Sequence, residues 1–311
     1  MAWKILLAEP LSPEHDARLR AAATVVSPAG AGEDGLIAAI SECDAIIGRT
    51  HTPITARVIA AGSRLRVIGV AGVGLDRVDL AAVAARSIRV IHTPAASTQA
   101  VAELAAGLVL QILRPVPRLV SEYRAGRFRE ARAGAHGGEL RDLAVGIIGM
   151  GRIGSRFGRI CAAGFGSRVI YHDIADVGPF DFPAERVAAD EVWTGADVVS
   201  LHVPLDASTR GMVGAAALEK MKPTAILVNT ARGAVVDTPA LVAALQSGRI
   251  AAAALDVTDP EPLPGDHPLL NMPNSIVTPH IAARTHGGLR RMCDVVDDVL
   301  AALRGSDRPT K

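Results

Sequence analysis

Short runs of β-branched and aliphatic residues alternate along this chain with stretches whose apolar positions recur every three or four residues. In the first third the runs are Lys4–Ala8, Ala45–Gly48, Arg66–Val70 and Arg89–Ile91. The helical spacing between them predicts helices over Pro13–Ala23, Glu33–Ser41 and Ile54–Ala61, the last stopped by Gly62. Strands alternating with helices of this length predict βαβ units and a parallel sheet. A longer helical pattern starts at Thr98 and runs past Leu113. Pro115 and Pro117 should kink or end it, because proline lacks an N–H and its ring crowds the preceding turn. A loop with Gly134, Gly137 and Gly138 follows, and then a second strand–helix series. Its strands are expected at Ala144–Ile148, Arg168–Tyr171, Asp197–Leu201, Ala225–Val228, Ile250–Val257 and Ser275–Thr278. Within it, Thr238 reads as an N-cap, Pro239 as the first helical residue and Gly248 as the stop. A last helix, about 285–304, comes after the final strand and is placed to cross back to the first domain. The pattern thus predicts two α/β domains with parallel sheets, joined by two crossings, with a cleft between them.

Length and composition narrow this reading. A chain of 311 residues suits two domains, since single cores stop growing near about 250–300 residues. Hydrophobic residues make up 49% but aromatics only 3%, so the cores must be built from Ala, Val, Leu and Ile. That bias fits parallel sheets covered by helices on both faces. The net charge of +1, from 33 basic and 32 acidic side chains, carries no electrostatic footprint for nucleic acid or an anionic membrane. Neither is expected as a partner. The densest arginine cluster, 124–132, is interleaved with Glu122 and Glu130 and reads as a solvated face. Cys43, Cys161 and Cys293 lie far apart, without the spacing of a disulfide framework or a metal site, and a reducing cytoplasm is expected. The first residues lack a long apolar h-region, and Val101–Leu113 carries Glu103 and Gln111 and is too short to span a bilayer.

Candidate chemistry begins at Gly149-Met150-Gly151-Arg152-Ile153-Gly154. Thirty glycines among 311 residues would generate G-x-G-x-x-G by chance, so context decides. A predicted strand leads into it, a helical pattern with Phe157, Ile160 and Cys161 follows, and Asp173 stands nineteen residues beyond Gly154 at the end of the next strand. That is the arrangement of a dinucleotide site. The first glycine makes the tight turn, the second admits the pyrophosphate, and the third lets helix and strand pack. The helix N-terminus offers free N–H groups to the phosphates. Asp173 suits a ribose diol and repels a 2′-phosphate, and no Arg or Lys follows it closely, so NAD is favoured over NADP.

Ligands of open parallel sheets bind beyond the carboxyl ends of the strands. Three late strands are followed there by Asn229-Thr230-Ala231-Arg232-Gly233, by Thr258-Asp259-Pro260-Glu261-Pro262 and by Pro279-His280-Ile281. One Arg, one Glu and one His thus converge on a single edge. Reducing a carbonyl needs a proton for the developing alkoxide, which a histidine supplies near neutral pH. A neighbouring carboxylate favours its protonated form. An arginine holds a substrate carboxylate and polarises a carbonyl. Each has a bland alternative, a surface ion pair, a solvated loop residue or a capping histidine, but the three together after a dinucleotide fingerprint favour the chemical reading. His136, His172 and His286 lack such company and read as structural or exposed.

With these residues the chain resembles the NAD-dependent D-isomer-specific 2-hydroxyacid dehydrogenases, from about Ala45 to Arg284. The resemblance rests on Val70–Asp76, Val101–Leu104, Val145–Gly154, Val228–Gly233 and Thr278-Pro279-His280. It implies a flavodoxin-like substrate-binding domain of residues 1–97 and 286–311, a Rossmann cofactor domain of 98–285, and a homodimer formed partly through Thr98–Leu113. By motif, His280 resembles the acid/base, Glu261 its partner and Arg232 the substrate-binding arginine. Gly72 and Val73 resemble the backbone that holds the substrate carboxylate. Arg152 and Ile153 would meet the pyrophosphate, Asp173 the adenosine ribose and Asp256 the nicotinamide carboxamide. His202, Val203 and Pro204, with Thr230 and Ala231, would line the cofactor cleft. The chain departs from the usual pattern at Pro115 and Pro117, at Ala282 where Gly is common, and in the loop Thr93–Thr98.

Two subclasses fit. Arg49 in Gly48-Arg49-Thr50 and the segment Ala71–Asp76 look like 3-phosphoglycerate dehydrogenases, with Arg49 as a phosphate ligand. Ending at Lys311, the chain leaves no room for the regulatory domain of longer members. Glyoxylate, hydroxypyruvate or another small 2-keto acid fits equally, whereas Glu261 stands where the formate dehydrogenase branch has Gln. A non-enzymatic alternative is an NAD(H)-sensing corepressor on the same fold.

Overall fold

In the computed structural model, residues 3–28, 30, 32–134 and 137–305 are described. His136 and residues 306–311 of the expected first domain lie outside them. The chain opens with β1 (Trp3–Leu7), α1 (Pro13–Ala22), β2 (Ala23–Val26), α2 (Glu33–Ile40) and β3 (Ala45–Arg49), followed by α3 (Ala56–Ala61), β4 (Val67–Ala71), α4 (Leu80–Ala85) and β5 (Arg89–His92). Two of these elements went unpredicted. β2 follows α1 without a break, and its first residue, Ala23, was expected to end that helix. α4 is six residues long and starts because the Asp79 carboxylate accepts a hydrogen bond from Ala82 N at 2.9 Å. The five strands are all parallel in the order β2-β1-β3-β4-β5, which is the flavodoxin-like arrangement.

The long helix α5 (Thr98–Leu113) stops before Pro115, and α6 (Val116–Arg124) leaves it at 50°. Proline thus ends the helix, as its missing N–H requires. α7 (Phe128–Ala133) completes this excursion, and neither α6 nor α7 buries a residue. A second sheet then forms from β6 (Ala144–Ile148), β7 (Arg168–His172), β8 (Glu185–Arg186), β9 (Val198–Leu201), β10 (Ile226–Asn229), β11 (Ala252–Leu255) and β12 (Ser275–Val277). Its helices are α8 (Arg152–Arg159), α9 (Ala189–Gly195), α10 (Ala215–Lys220) and α11 (Thr238–Gln246). The order β12-β11-β10-β9-β6-β7-β8, all parallel, is the Rossmann order with a strand added beyond β11. Alternate residues feed the two faces, as parallel strands covered on both sides require. Ile148, Val199, Leu201, Leu227 and Leu255 pack with Val192, Leu218 and Leu241. Val145, Ile147, Val198 and Val228 pack with Phe157, Leu108 and Val109.

One capping assignment is corrected. The N-cap of α11 is Asp237, whose carboxylate accepts from Ala240 N at 3.0 Å. Thr238 is the first helical residue instead, and its hydroxyl donates to Asp259 O at 2.9 Å. The expected last helix is two, α12 (His286–Cys293) and α13 (Val295–Leu303), broken at Asp294. α13 packs on β4 and β5, where Gly69 makes room: a Cβ there would sit 2.6 Å from Val299. The chain therefore divides into two compact units, Met1–Ser97 with Arg284–Lys311 and Thr98–Ala283. Among the described residues no single helix is long and apolar enough to cross a membrane, and no group of three or more His, Cys, Asp or Glu side chains is arranged to hold a metal ion.

Candidate active site

In the larger unit β6 runs directly into the glycine turn. Gly149 has φ +91°, and a Cβ there would stand 2.6 Å from His202 O, so the turn needs glycine twice over. A Cβ on Gly154 would overlap the Gly149 carbonyl, which is how closely α8 seats on the turn. Gly151 differs: a Cβ there meets nothing within 4 Å. It would project into the open space at the N-terminus of α8, where Arg152 and Ile153 begin the helix. The third glycine thus serves packing, and the second keeps a cradle clear. The residues present fit a dinucleotide pyrophosphate.

Asp173, at the end of β7, is tied into this turn. Its Oδ2 accepts from Met150 N at 2.7 Å and its Oδ1 from Ala175 N at 2.8 Å. The next residue, Ile174, is 97% exposed. The sequence shows no cation immediately after Asp173, but the fold brings one there. Arg186 in β8 donates to the carbonyls of Asp173 (3.0 Å) and Ala175 (2.9 Å) and pairs with Asp176 at 2.9 Å.

His202, Val203 and Pro204 follow β9, and Thr230 and Ala231 follow the adjacent β10. Burial pushes the His202 imidazole down to about 3, so this ring is neutral in the working range. Its Nε2 lies 2.9 Å from Ser200 Oγ, while its buried Nδ1 and the buried Thr230 hydroxyl have no hydrogen-bond partner among the described residues. Buried polar atoms left so are uncommon and point to an outside partner.

The Arg–Glu–His set stands on β10, β11 and β12. Asn229, wholly buried, shapes the first loop: its Oδ1 accepts from Ala231 N at 3.0 Å and its Nδ2 donates to Arg232 O at 2.9 Å. Gly233 then passes so near the second loop that a Cβ would overlap the Thr258 carbonyl. This backbone contact draws the Arg232 and Glu261 loops together. On the third loop His280 takes φ +51°, a left-handed conformation that costs a non-glycine residue about 1–3 kcal/mol. Asp256, 1% exposed, holds it there. The Asp256 carbonyl accepts from His280 N at 2.9 Å, and its carboxylate accepts from Thr278 Oγ1 (2.6 Å), Ile281 N (2.8 Å) and Ala282 N (2.8 Å). Asp256 was expected at the nicotinamide carboxamide, yet three of its roughly four acceptor positions serve this loop.

His280 Nδ1 lies 2.7 Å from Glu261 Oε1. That hydrogen bond raises the histidine pKa above its ordinary 6.5, outweighing burial, and the same bond lowers the Glu261 carboxyl below its ordinary 4.5. The Arg232 charge acts on both groups, lowering each, so the three side chains share one electrostatic environment.

Arg49, Gly72 and Val73 belong to the smaller unit, at the ends of β3 and β4. Arg49 N donates to Thr52 Oγ1 at 2.8 Å and its guanidinium to Pro10 O at 3.1 Å. Gly72 has φ +156°, and its carbonyl accepts from Thr93 N at 3.0 Å. The Val73 carbonyl accepts from His92 Nδ1 at 2.9 Å. His92, Asn229 and Arg186 were not anticipated, since each acts through a partner that only the fold supplies.

Residues 106–282 match the NAD binding domain of the D-isomer specific 2-hydroxyacid dehydrogenases. The chain is 37% identical over 278 residues to the glyoxylate reductase of Korarchaeum cryptofilum, covering 88% of this chain and 83% of that enzyme. It is 37% identical over 285 residues to the D-3-phosphoglycerate dehydrogenase of Archaeoglobus fulgidus, covering 91% of this chain but 54% of that longer enzyme. The crystal structure of the TT0316 protein from Thermus thermophilus is similar with a TM-score of 0.89 at 37% identity, over 98% of each chain. Matched across its glycine turn and all three polar loops, the chain belongs to the D-isomer specific 2-hydroxyacid dehydrogenases and is an NAD-dependent oxidoreductase.

Proposed function

We propose that this enzyme reduces a small unphosphorylated 2-keto acid, of the glyoxylate or hydroxypyruvate kind, to the D-2-hydroxy acid. The observation that carries the reading is the His280–Glu261 hydrogen bond at 2.7 Å, formed beside Arg232 at the carboxyl ends of neighbouring strands. NADH supplies the hydride when bound. Glu261 accepts from Nδ1–H of His280, which fixes the tautomer and leaves Nε2 as the position that gives or takes the substrate proton. The raised pKa keeps His280 protonated and ready to donate to the developing alkoxide. Arg232 binds the substrate carboxylate and polarises the carbonyl, and the Gly72–Val73 backbone supplies further donors. Asp173 takes the adenosine ribose. Gly149, Gly151, Arg152, Ile153 and Gly154 take the pyrophosphate, and His202, Val203, Pro204, Thr230, Ala231 and Asp256 line the rest of the cofactor site. On this reading residues 1–97 and the C-terminal helices bind substrate, and the enzyme works in the cytoplasm as a homodimer.

A phosphorylated substrate is the second reading, favoured by Arg49 at the end of β3. One guanidinium already bonded to Pro10 O is thin provision for a dianion. The test is NADH oxidation against glyoxylate, hydroxypyruvate, pyruvate, phenylpyruvate and 3-phosphohydroxypyruvate. Preference for an unphosphorylated acid is expected. Preference for the phosphorylated one would transfer the role to Arg49, and no turnover with NADH still bound would leave a sensor of the cofactor.

A further inference from the structure

The edge strand β8 has two residues, and one of them commands the turn beside it. Arg186 Nη2 donates to Asp173 O at 3.0 Å and Ala175 O at 2.9 Å, and Nη1 pairs with Asp176 Oδ1 at 2.9 Å. From the other side, the Asp173 carboxylate reaches Met150 N and Ala175 N. The turn 173–176 therefore hangs between two anchors, the glycine turn and the guanidinium. It has little else to steady it, with Ile174 and Asp176 both almost fully exposed. An exposed Arg–Asp pair alone contributes little. A planar fork that also spans two backbone carbonyls is different, because it fixes the direction of the chain and not merely a charge.

We propose that Arg186 is a positioning residue for cofactor choice, clamping the 173–176 turn so that the Asp173 carboxylate stays where it binds a ribose diol and repels a 2′-phosphate. The proposal rests on the reading of Asp173 as the ribose ligand. A guanidinium at this end of a dinucleotide site suggests, at first sight, a phosphate ligand. Its bonds to Asp176 and to the carbonyls of Asp173 and Ala175 direct it to the turn instead.

The test compares kcat/KM for NADH and NADPH, at a fixed saturating keto acid, in the wild type, Arg186→Ala, Arg186→Lys and Asp173→Asn. Arg186→Ala is expected to lower the NADH:NADPH ratio by roughly tenfold, through a higher KM for NADH, since small misplacements of a binding group carry costs of this order. Its kcat, keto-acid KM and melting temperature should stay near wild type. Arg186→Lys should lose about as much, because an ammonium keeps the charge but cannot span the three acceptors. If Asp173→Asn lowers the ratio and Arg186→Ala does not, the clamp is overturned while the ribose reading stands. If Asp173→Asn leaves the ratio unchanged, the ribose reading fails and takes the clamp with it. A rise in the ratio in Arg186→Ala would make the guanidinium a phosphate ligand and overturn the proposal outright.

Discussion

His280 and Glu261 set the pH behaviour of the chemistry. Replacing His280 by Ala should lower kcat by about 10²–10⁴ while leaving the Kd for NADH, read by fluorescence titration, almost unchanged. Keto-acid reduction needs the protonated ring, so its kcat should be flat at low pH and fall as pH rises through a pKa above 6.5. Oxidation of the hydroxy acid should show the opposite limb. Glu261→Gln removes the largest cause of the shift and should move both limbs down towards 6.5; unmoved limbs would detach the carboxylate from the titration. For stability the signs are separate. The raised histidine contributes fully below about 6.5 and loses that contribution as pH rises through its folded value. The lowered carboxylate contributes above about 4.5 and loses it as pH falls. Their joint contribution is therefore greatest between those values and, with both side chains over two-fifths exposed, small. The placement of Arg232, Glu261 and His280 at neighbouring strand ends was readable because each follows a strand. The shaping of their loops was not, since Asp256 was expected only at the cofactor and a buried Asn229 or Asp256 shows its structural role only through the partners it meets.

At the scale of elements, the sequence was legible wherever length and punctuation agreed. β6, the glycine turn and α8 form an uninterrupted strand–turn–helix, and Pro115 ends α5 as its chemistry demands. Legibility failed for short pieces. β8 has two residues and no periodicity at all, and β2 is fused to the end of α1. At α11, Asp237 and Thr238 are both capping residues by type, and only geometry decides between them. Loop-to-loop contacts were equally hidden. Gly233 is the clearest case, as its meaning lies in the carbonyl of Thr258 and not in its own neighbours. Gly233→Ala should push the Arg232 and Glu261 loops apart and lower kcat/KM by about 10² or more, with NADH binding less affected. Steady-state kinetics near wild type would show that the contact does not set the site.

At the scale of the molecule, α6 and α7 form an excursion that their own unit leaves uncovered. Val116, Val120, Tyr123 and Phe128 are all exposed there, with Tyr123 and Phe128 in ring contact at 5.1 Å. On the proposed homodimer, expected partly through Thr98–Leu113, these exposed apolar side chains just beyond that helix would extend the same surface. Val120→Asp with Tyr123→Asp should yield a monomer by light scattering, with the glycine turn and its NADH site intact. A dimer that persists would place the interface elsewhere.

The route of the chain through its two units also bears on how the protein is made. Residues 98–283 are contiguous, so everything their sheet needs has left the ribosome once that stretch is complete. The smaller sheet is synthesised first but lacks its cover, because α13, which packs against Gly69 on β4, is translated some two hundred residues later. Until α13 is made, the apolar face of β4 and β5 that it covers stays open. That open surface is of the kind that aggregates in nascent chains, and its cover comes only with the C-terminal helix.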